Sequence, residues 1–254
     1  MNISKQFLEN GYVILPCENL KPLLEIRKSI FELCQSIFDY NEDDIDYFYN
    51  NFHEIHSDRD DLNRQRIELI NQCTQNLDIN RNIFDAFPSA LQELLGPDLL
   101  SQKNPNIVIS KPNDPNNAEL HRDATPNSFY ELVAWVPMVD TYGSKTMYVL
   151  DVEKSDKVFR SLDSKTANWG ELVKSAELEG ARATVPFGSA LFFWAGLFHG
   201  SEINREGLTR WTLNTRYKSA FAPVGLKDPF NFYKIFQLSS ITKLAIEAEK
   251  REFV

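Results

Sequence analysis

Two segments of the chain carry side chains that together could hold a metal ion and an organic anion. His121 and Asp123 lie close together near the middle of the chain, and His199 and Arg210 follow later. Two imidazole nitrogens and one carboxylate oxygen on one side of an ion leave the opposite coordination positions open. This ligand set is typical of non-haem Fe(II) sites that activate oxygen. The residues therefore indicate an oxygen-activating enzyme.

The three candidate ligands must be brought together by the fold. On an extended strand, His121 and Asp123 point to the same face and can reach one ion. A His-x-Asp pattern is common by chance, so His199 is the more informative residue. It follows the apolar run Ala190–Phe198, which would carry it to the rim or interior of a barrel. Taken alone, His199 would more often be a hydrogen-bonded histidine of a loop or core than a metal ligand.

The segment Thr209–Tyr217 alternates between polar and apolar residues, which predicts a strand with one polar face. Arg210 and Thr212 lie on that face, where a guanidinium and a neighbouring hydroxyl suit the capture of a carboxylate. Asn214 and Arg216 share the face and could reach a substrate, although each two-residue step adds about 6.5 to 7 Å. An ordinary half-exposed strand gives the same alternation.

Composition restricts the class of protein. A chain of 254 residues with 43% hydrophobic residues can bury a substantial core, and we expect one domain over 1–254. A net charge of -9 and a pI near 5.0 argue against a nucleic-acid partner. Three cysteines without metal-type spacing, and a start without a signal peptide, favour the cytoplasm. The longest apolar run is too short for a membrane span, so no membrane association is expected.

The texture of the sequence changes along the chain. Residues 1–95 show mainly helical periodicity, about 98–220 reads as short strands of a sandwich or barrel, and about 229–252 predicts a C-terminal helix. The acidic, aromatic segment Asp39–Asp61 has no clear period and predicts an irregular surface segment or lid. The predicted strands are Asn106–Ser110, Phe129–Pro137, Thr146–Leu150, Arg182–Pro186, Ala190–Ala195 and Thr209–Tyr217.

The order His121-x-Asp123, His199, Arg210-x-Thr212 resembles the phytanoyl-CoA-dioxygenase-like branch of the Fe(II)/2-oxoglutarate oxygenases. Within that branch, the chain is similar to a bacterial subgroup associated with surface-carbohydrate gene clusters. Further segments carry this resemblance: Phe7–Leu15, Pro105–Ser110, Tyr130–Pro137, Lys145–Leu150 and Thr209–Asn214. One departure is Gly143–Met147, where many relatives have an Asn-Gly turn leading to Pro-Gly-Ser-His. This departure bears on substrate alignment rather than on the metal triad.

The resemblance implies a mainly β fold with flanking helices, namely a cupin-like jelly roll or double-stranded β-helix. It also implies that His121, Asp123 and His199 bind Fe(II), and that Arg210 and Thr212 bind the distal carboxylate of 2-oxoglutarate. Dioxygen would be the second cosubstrate. The substrate would be a small metabolite, for example a sugar or sugar nucleotide of surface-polysaccharide synthesis. Hydroxylation is preferred to halogenation because halogenating members have a small residue where this chain keeps Asp123. The sequence predicts no oligomeric state.

Two other functions stay open at this point. One is a cupin-like isomerase or lyase that uses a divalent metal without oxygen, and the other is a jelly-roll binding module without catalysis. His53, His56 and Asp58 form a second candidate metal group, although solvated helix surface is the preferred interpretation of these residues. The tryptophans of the strand region are expected in the core or barrel wall, with stacking of a carbohydrate as the alternative: Trp135, Trp194 and Trp211.

Overall fold

A ten-residue strand at the centre of the larger of two antiparallel sheets organises the fold. In the computed structural model, which describes residues 2–56, 59–116, 118–123, 128–164, 168–224 and 229–252, this strand is β9. The strands are β1 (Tyr12–Pro16), β2 (Leu99–Gln102), β3 (Asn106–Ser110), β4 (Leu132–Pro137), β5 (Met147–Val149), β6 (Ala181–Arg182), β7 (Ser189–Trp194), β8 (His199–Ser201), β9 (Arg210–Ser219) and β10 (Tyr233–Gln237).

Helices precede, interrupt and follow these strands. A single turn of 3-10 helix also spans Gly143–Lys145. The α-helices are α1 (Ile3–Asn10), α2 (Lys21–Ile37), α3 (Ile45–Ile55), α4 (Arg59–Asn76), α5 (Ile79–Ala86), α6 (Pro88–Leu95), α7 (Val152–Asp163), α8 (Trp169–Glu179), α9 (Pro229–Phe232) and α10 (Ser240–Glu252). Among the described residues, no helix has both the length and the apolar character needed to span a bilayer.

The larger sheet has the order β1-β7-β4-β9-β2-β10, and the smaller has the order β6-β5-β8. One edge of β9 pairs with β4, while the other pairs first with β3 and then with β2. All these pairings are antiparallel. The strands β4 and β7 are buried along almost their whole length because neighbours cover both of their faces. This architecture matches the general form of a jelly-roll fold.

The two faces of β9 have opposite characters. Trp211, Leu213 and Tyr217 are fully buried and pack into the large apolar core beneath the N-terminal helices. Alternate residues of a strand point to opposite faces, so Arg210 and Arg216 face the interior between the two sheets. A second apolar cluster joins the sheets there, with Val133 and Phe193 from the larger one and Met147 from the smaller.

Several predicted elements differ from those observed. The first third is not wholly helical, because β1 pairs with β7 at the edge of the larger sheet. The region Asp39–Asp61 is not an irregular lid, since it contains α3. This helix begins at Asp44, whose side chain accepts a hydrogen bond from the Tyr47 amide. Of the strand predicted at Arg182–Pro186, only β6 and an isolated bridge between Thr141 and Val185 form.

The predicted C-terminal helix is also wrong at its start. Residues Tyr233–Gln237 form β10, which pairs with β2, and α10 begins only at Ser240. The apolar spacing that suggested one long helix is present, but an open edge of β2 offers a ladder of hydrogen bonds that overrides local helical preference. The turn of chain before α10 is fixed by Asp98, which accepts hydrogen bonds from the Ser239 amide and hydroxyl.

Candidate metal centre and anion site

The backbone itself sets the distance between the two candidate histidine ligands. The His121 amide donates to the His199 carbonyl at 2.9 Å, and the His199 amide donates back to the His121 carbonyl at 2.9 Å. The two residues therefore form an isolated antiparallel bridge. Residues directly opposite each other in such a bridge present their side chains on the same face. Their ring centroids lie 4.2 Å apart.

Asp123 completes a compact group with these histidines. One nitrogen of each imidazole and one carboxylate oxygen of Asp123 all lie within 4.8 Å of one another. Among the described residues, this is the group of histidine, cysteine and acidic side chains with the geometry to hold a metal ion. His199 is buried, Asp123 is half-buried and His121 is exposed, so the group opens towards solvent on the His121 side. The structure thus brings the three predicted ligands together.

Hydrogen bonds select the nitrogen that each histidine can offer. His121 Nδ1 lies 2.7 Å from the Glu119 carbonyl, and His199 Nδ1 lies 3.0 Å from the Leu197 carbonyl. A carbonyl only accepts, so each Nδ1 must carry the proton and donate. Nε2 of both rings therefore keeps its lone pair for a ligand bond. Such contacts from the second ring nitrogen commonly orient metal-binding histidines.

The protonation states suit metal binding. Burial lowers the pKa of His199 to about 4, although the nearby Asp123 carboxylate acts in the opposite direction. The imidazole is therefore neutral near pH 7. Burial alone would raise the pKa of Asp123, but the neighbouring His199 and the Arg216 guanidinium outweigh it and hold that pKa below 3.8. Metal ligands must be neutral imidazole or ionised carboxylate, and these two residues meet that condition.

A cavity of about 200 Å³ lies against this group and reaches the predicted anion site. His121, Asp123 and His199 line one part of it, and Arg210 lines another. The remaining lining comes from both sheets and from neighbouring loops: Asn106, Val108, Ala118, Trp135, Met147, Phe193, Gly200, Ser201, Asn214 and Arg216. The interior between the two sheets is therefore hollow at the candidate metal centre.

Arg210 is a buried cation without an acidic partner. It is only 4% exposed, and no carboxylate of the described ranges lies within ion-pair distance of it. Its Nη2 donates to Ser201 Oγ at 3.2 Å, and within the described part of the chain its Nε has no hydrogen-bond partner. Burial lowers the pKa of Arg210 to about 10, which leaves it charged at neutral pH. Since a buried charge is costly unless it is paired, this arrangement favours an anionic ligand in the cavity.

The other predicted residues of the β9 face have different surroundings. Thr212 is fully buried, and its Oγ1 finds no hydrogen-bond partner in the described part of the chain, but it is not among the residues that line the cavity. Asn214 lines the cavity, and its Oδ1 is likewise without a partner among the described groups. Arg216 pairs with Asp123 at 2.8 Å. The sequence placed Arg216 on the correct face but gave no signal of this contact.

A second cavity of about 490 Å³ also contains His121 and is open to solvent. Its walls come largely from α7, α8 and the residues flanking the histidines: Leu120, Arg122, Phe159, Leu162, Asp163, Trp169 and Phe198. The Arg122 guanidinium lies 4.4 Å from the centroid of the Phe159 ring. Sequence reasoning missed this site because helices inserted between β5 and β6 supply it, and only the fold places them beside His121.

The remaining candidates from the sequence are the histidines His53 and His56 and three tryptophans. Both histidines form hydrogen bonds with neighbouring side chains of the described residues. His53 Nδ1 lies 2.9 Å from Thr209 Oγ1, and His56 Nε2 lies 2.6 Å from Gln65 Oε1. Asp58, the third member of that candidate metal group, lies outside the described residues. Trp211 is buried against α3, whereas Trp135 lines the smaller cavity. The Trp194 indole nitrogen donates to the Phe129 carbonyl.

Comparison with known proteins identifies similar folds but no sequence family for this chain. No family model matches the chain, and no curated protein matches it. Among solved structures, "Non-heme monooxygenase, ThoJ-Ni complex" aligns over 94% of this chain and 84% of its own, with 16% identity and a TM-score of 0.56. EctD from S. alaskensis in its apoform covers 91% and 82% at 12% identity, with a TM-score of 0.56.

HygX from Streptomyces hygroscopicus, solved with nickel and 2-oxoglutarate bound, is similar over 86% of each chain. Its identity to this chain is 12% and the TM-score is 0.51. At such low identity these similarities concern the fold, which this chain shares with non-haem oxygenases. The chain combines this β fold with a His-Asp-His group and a buried arginine that line one cavity.

Proposed function

We propose that this protein is an Fe(II)- and 2-oxoglutarate-dependent dioxygenase. The observation that carries the proposal is that one cavity is lined both by the His121, Asp123 and His199 group and by Arg210, whose guanidinium has no carboxylate partner among the described residues. A metal site alone would suit many reactions, and a buried arginine alone would suit many anions. Together they fit a cosubstrate that binds a metal at one end and carries a carboxylate at the other.

In this proposal His121, Asp123 and His199 hold Fe(II), and Arg210 with Thr212 binds the distal carboxylate of 2-oxoglutarate. The cavity of about 200 Å³ is below the roughly 300 to 1,000 Å³ usual for drug-sized ligands and suits a small dicarboxylate. When bound, iron and dioxygen supply the oxidation of the 2-oxo acid to succinate and carbon dioxide and of a substrate C–H bond. The chain supplies ligands, orientation and an enclosed site.

We further propose hydroxylation of a small metabolite, such as a sugar or sugar nucleotide of surface-polysaccharide synthesis, as the reaction. The cavity of about 490 Å³ that shares His121 supports this substrate class. Phe159 and Trp169 offer flat apolar surfaces there, while Arg122 and Asp163 offer polar groups. A ring with an apolar face and polar edges can use both kinds of contact. A substrate seated there would lie beside the exposed histidine ligand.

Anaerobic titration of the purified protein with Fe(II) and 2-oxoglutarate tests the proposal directly. We expect a weak visible charge-transfer band in the wild-type protein and none in His199→Ala, which loses one nitrogen ligand. On admission of oxygen, the wild-type protein should release succinate. Metal binding without a response to 2-oxoglutarate or oxygen would instead support a cupin-like isomerase or lyase. Absence of metal binding would support a jelly-roll binding module.

A further inference from the structure

Asp123 shares its carboxylate with an arginine that the proposed chemistry does not use. Arg216 Nη2 donates to Asp123 Oδ1 at 2.8 Å, and the two side chains are only 16% and 15% exposed. Hydrogen bonds between two ionised groups are short and about twice as strong as neutral ones. This ion pair gives Asp123 Oδ1 a charged partner of its own.

The Arg216 guanidinium is itself held in place by the protein. Its Nη1 donates to Gln102 Oε1 at 3.0 Å, and its Nε lies 3.5 Å from Glu131 Oε2. The Glu131 side chain has no solvent exposure, and its Oε1 accepts a hydrogen bond from the Tyr233 hydroxyl. Gln102 of β2 and Glu131, which directly precedes β4, therefore fix the position of this guanidinium, and Tyr233 of β10 holds Glu131 in turn.

Arg216 differs from Arg210 in its charged partners, although both line the cavity of about 200 Å³. The two residues are six apart on β9, which separates their Cα atoms by about 20 Å at 3.3 Å per residue. Arg210 has no carboxylate partner among the described residues, whereas Arg216 lies between the carboxylates of Asp123 and Glu131. A guanidinium already paired with two carboxylates is suited to holding a side chain, and not to capturing a cosubstrate.

We propose that Arg216, supported by Glu131, is a positioning residue that restricts Asp123 to binding the metal through a single oxygen. This inference rests on the proposed function. A free carboxylate can also bind a metal through both oxygens, and that would use one of the coordination positions that the cosubstrate and oxygen require. By occupying Oδ1, Arg216 keeps those positions open. Glu131 orients the guanidinium and balances its charge in the protein interior.

The test is a count of exchangeable water molecules on Mn(II) bound to the metal site, measured by water-proton relaxation without 2-oxoglutarate. We expect Arg216→Gln to hold one water fewer than the wild-type protein, because Asp123 then binds with both oxygens. The double variant Arg216→Gln/Glu131→Gln should show the same loss. The double variant removes a buried cation and a buried anion together, so the carboxylate of Glu131 is not left buried without its cation. It therefore provides the water count if the single variant fails to fold.

Arg27→Gln is the matched control, because Arg27 forms a 2.7 Å ion pair with Asp46 and is mostly buried. It should lose stability but keep the wild-type water count. An unchanged count in folded Arg216 variants would overturn the inference, and so would a higher count, which would mean that Asp123 has left the ion. A loss of water in Arg27→Gln would overturn it as well. If wild-type protein binds no Mn(II), it is the proposed function that fails.

Discussion

Arg210 combines burial, charge and the absence of an acidic partner within the described ranges, a combination that proteins rarely keep without a ligand. His121 and His199 differ from it in that Nδ1 of each ring already has a backbone carbonyl as its partner. The types and order of these residues were readable from sequence. The Arg216 contact with Asp123 was not, because it depends on which face of β9 meets a loop far away in the chain.

We expect Arg210→Ala to weaken 2-oxoglutarate binding by roughly 100-fold. Two hydrogen bonds from a charged donor contribute about 3 kcal/mol together, which corresponds to that factor. The measurement is the half-saturation of the anaerobic Fe(II) charge-transfer band by 2-oxoglutarate. Arg160→Ala serves as the control, since Arg160 pairs with Asp156 on the surface of α7. Wild-type affinity in Arg210→Ala would show that the cosubstrate carboxylate binds elsewhere.

Lys145 gives a pH-dependent prediction. Burial lowers its pKa to about 8, and nearby Arg210 adds to this effect, while Asp140 and Glu206 oppose it. Below about pH 8, folding therefore buries a charged amine at a cost of up to about 3 kcal/mol. This cost disappears as the pH rises towards 10.5, where the unfolded chain also releases the proton. Lys145→Met should thus be more stable than the wild-type protein at pH 7, by denaturant unfolding, and the difference should shrink between pH 8 and 10.5. A difference that stays constant over that range would contradict the assignment.

At the scale of elements, a strand whose polar and apolar residues alternate was easier to predict from sequence than a strand at the edge of a sheet. The alternation of Thr209–Tyr217 predicted β9 because one face is covered by apolar core and the other lines a polar cavity. The helix α3 was missed although its buried residues Phe48, Tyr49 and Phe52 lie at helical spacing, because the dense acidic and aromatic residues around them obscured that period. The strand β10 was missed because only its pairing with β2 distinguishes it from a helical segment.

The contact between α3 and β9 should contribute strongly to stability. Trp211 is fully buried and packs edge-on against Tyr49 and Phe52, with centroid distances of 5.3 and 4.9 Å. We expect Trp211→Ala to lower the free energy of unfolding by about 3 to 5 kcal/mol, because it removes a large buried ring. Trp169→Ala, at a 42% exposed position, should change it by less than about 0.5 kcal/mol. Equal effects in urea unfolding would show that α3 is held by other contacts.

At the scale of the whole molecule, the candidate site lies between the two sheets, and residues of both sheets line it. Ligands that bind only the folded state raise its stability by about 2.7 kcal/mol at 100 times the dissociation constant. Mn(II) and 2-oxoglutarate together should therefore raise the melting temperature by about 5 to 10 °C for a chain of this size. Differential scanning calorimetry measures this shift. His199→Ala should show little of it, and an equal shift in that variant would place the metal at another site.

The mutual backbone bridge between His121 and His199 has a consequence for how the centre can open. The backbone of neither histidine can move away from the other without breaking both amide hydrogen bonds, so the spacing of the two Cα atoms is as durable as the pairing of the two chain segments. The amide protons of these residues should consequently exchange with deuterium at a common rate. That rate would report directly how often the pair separates, whichever ligands occupy the interior.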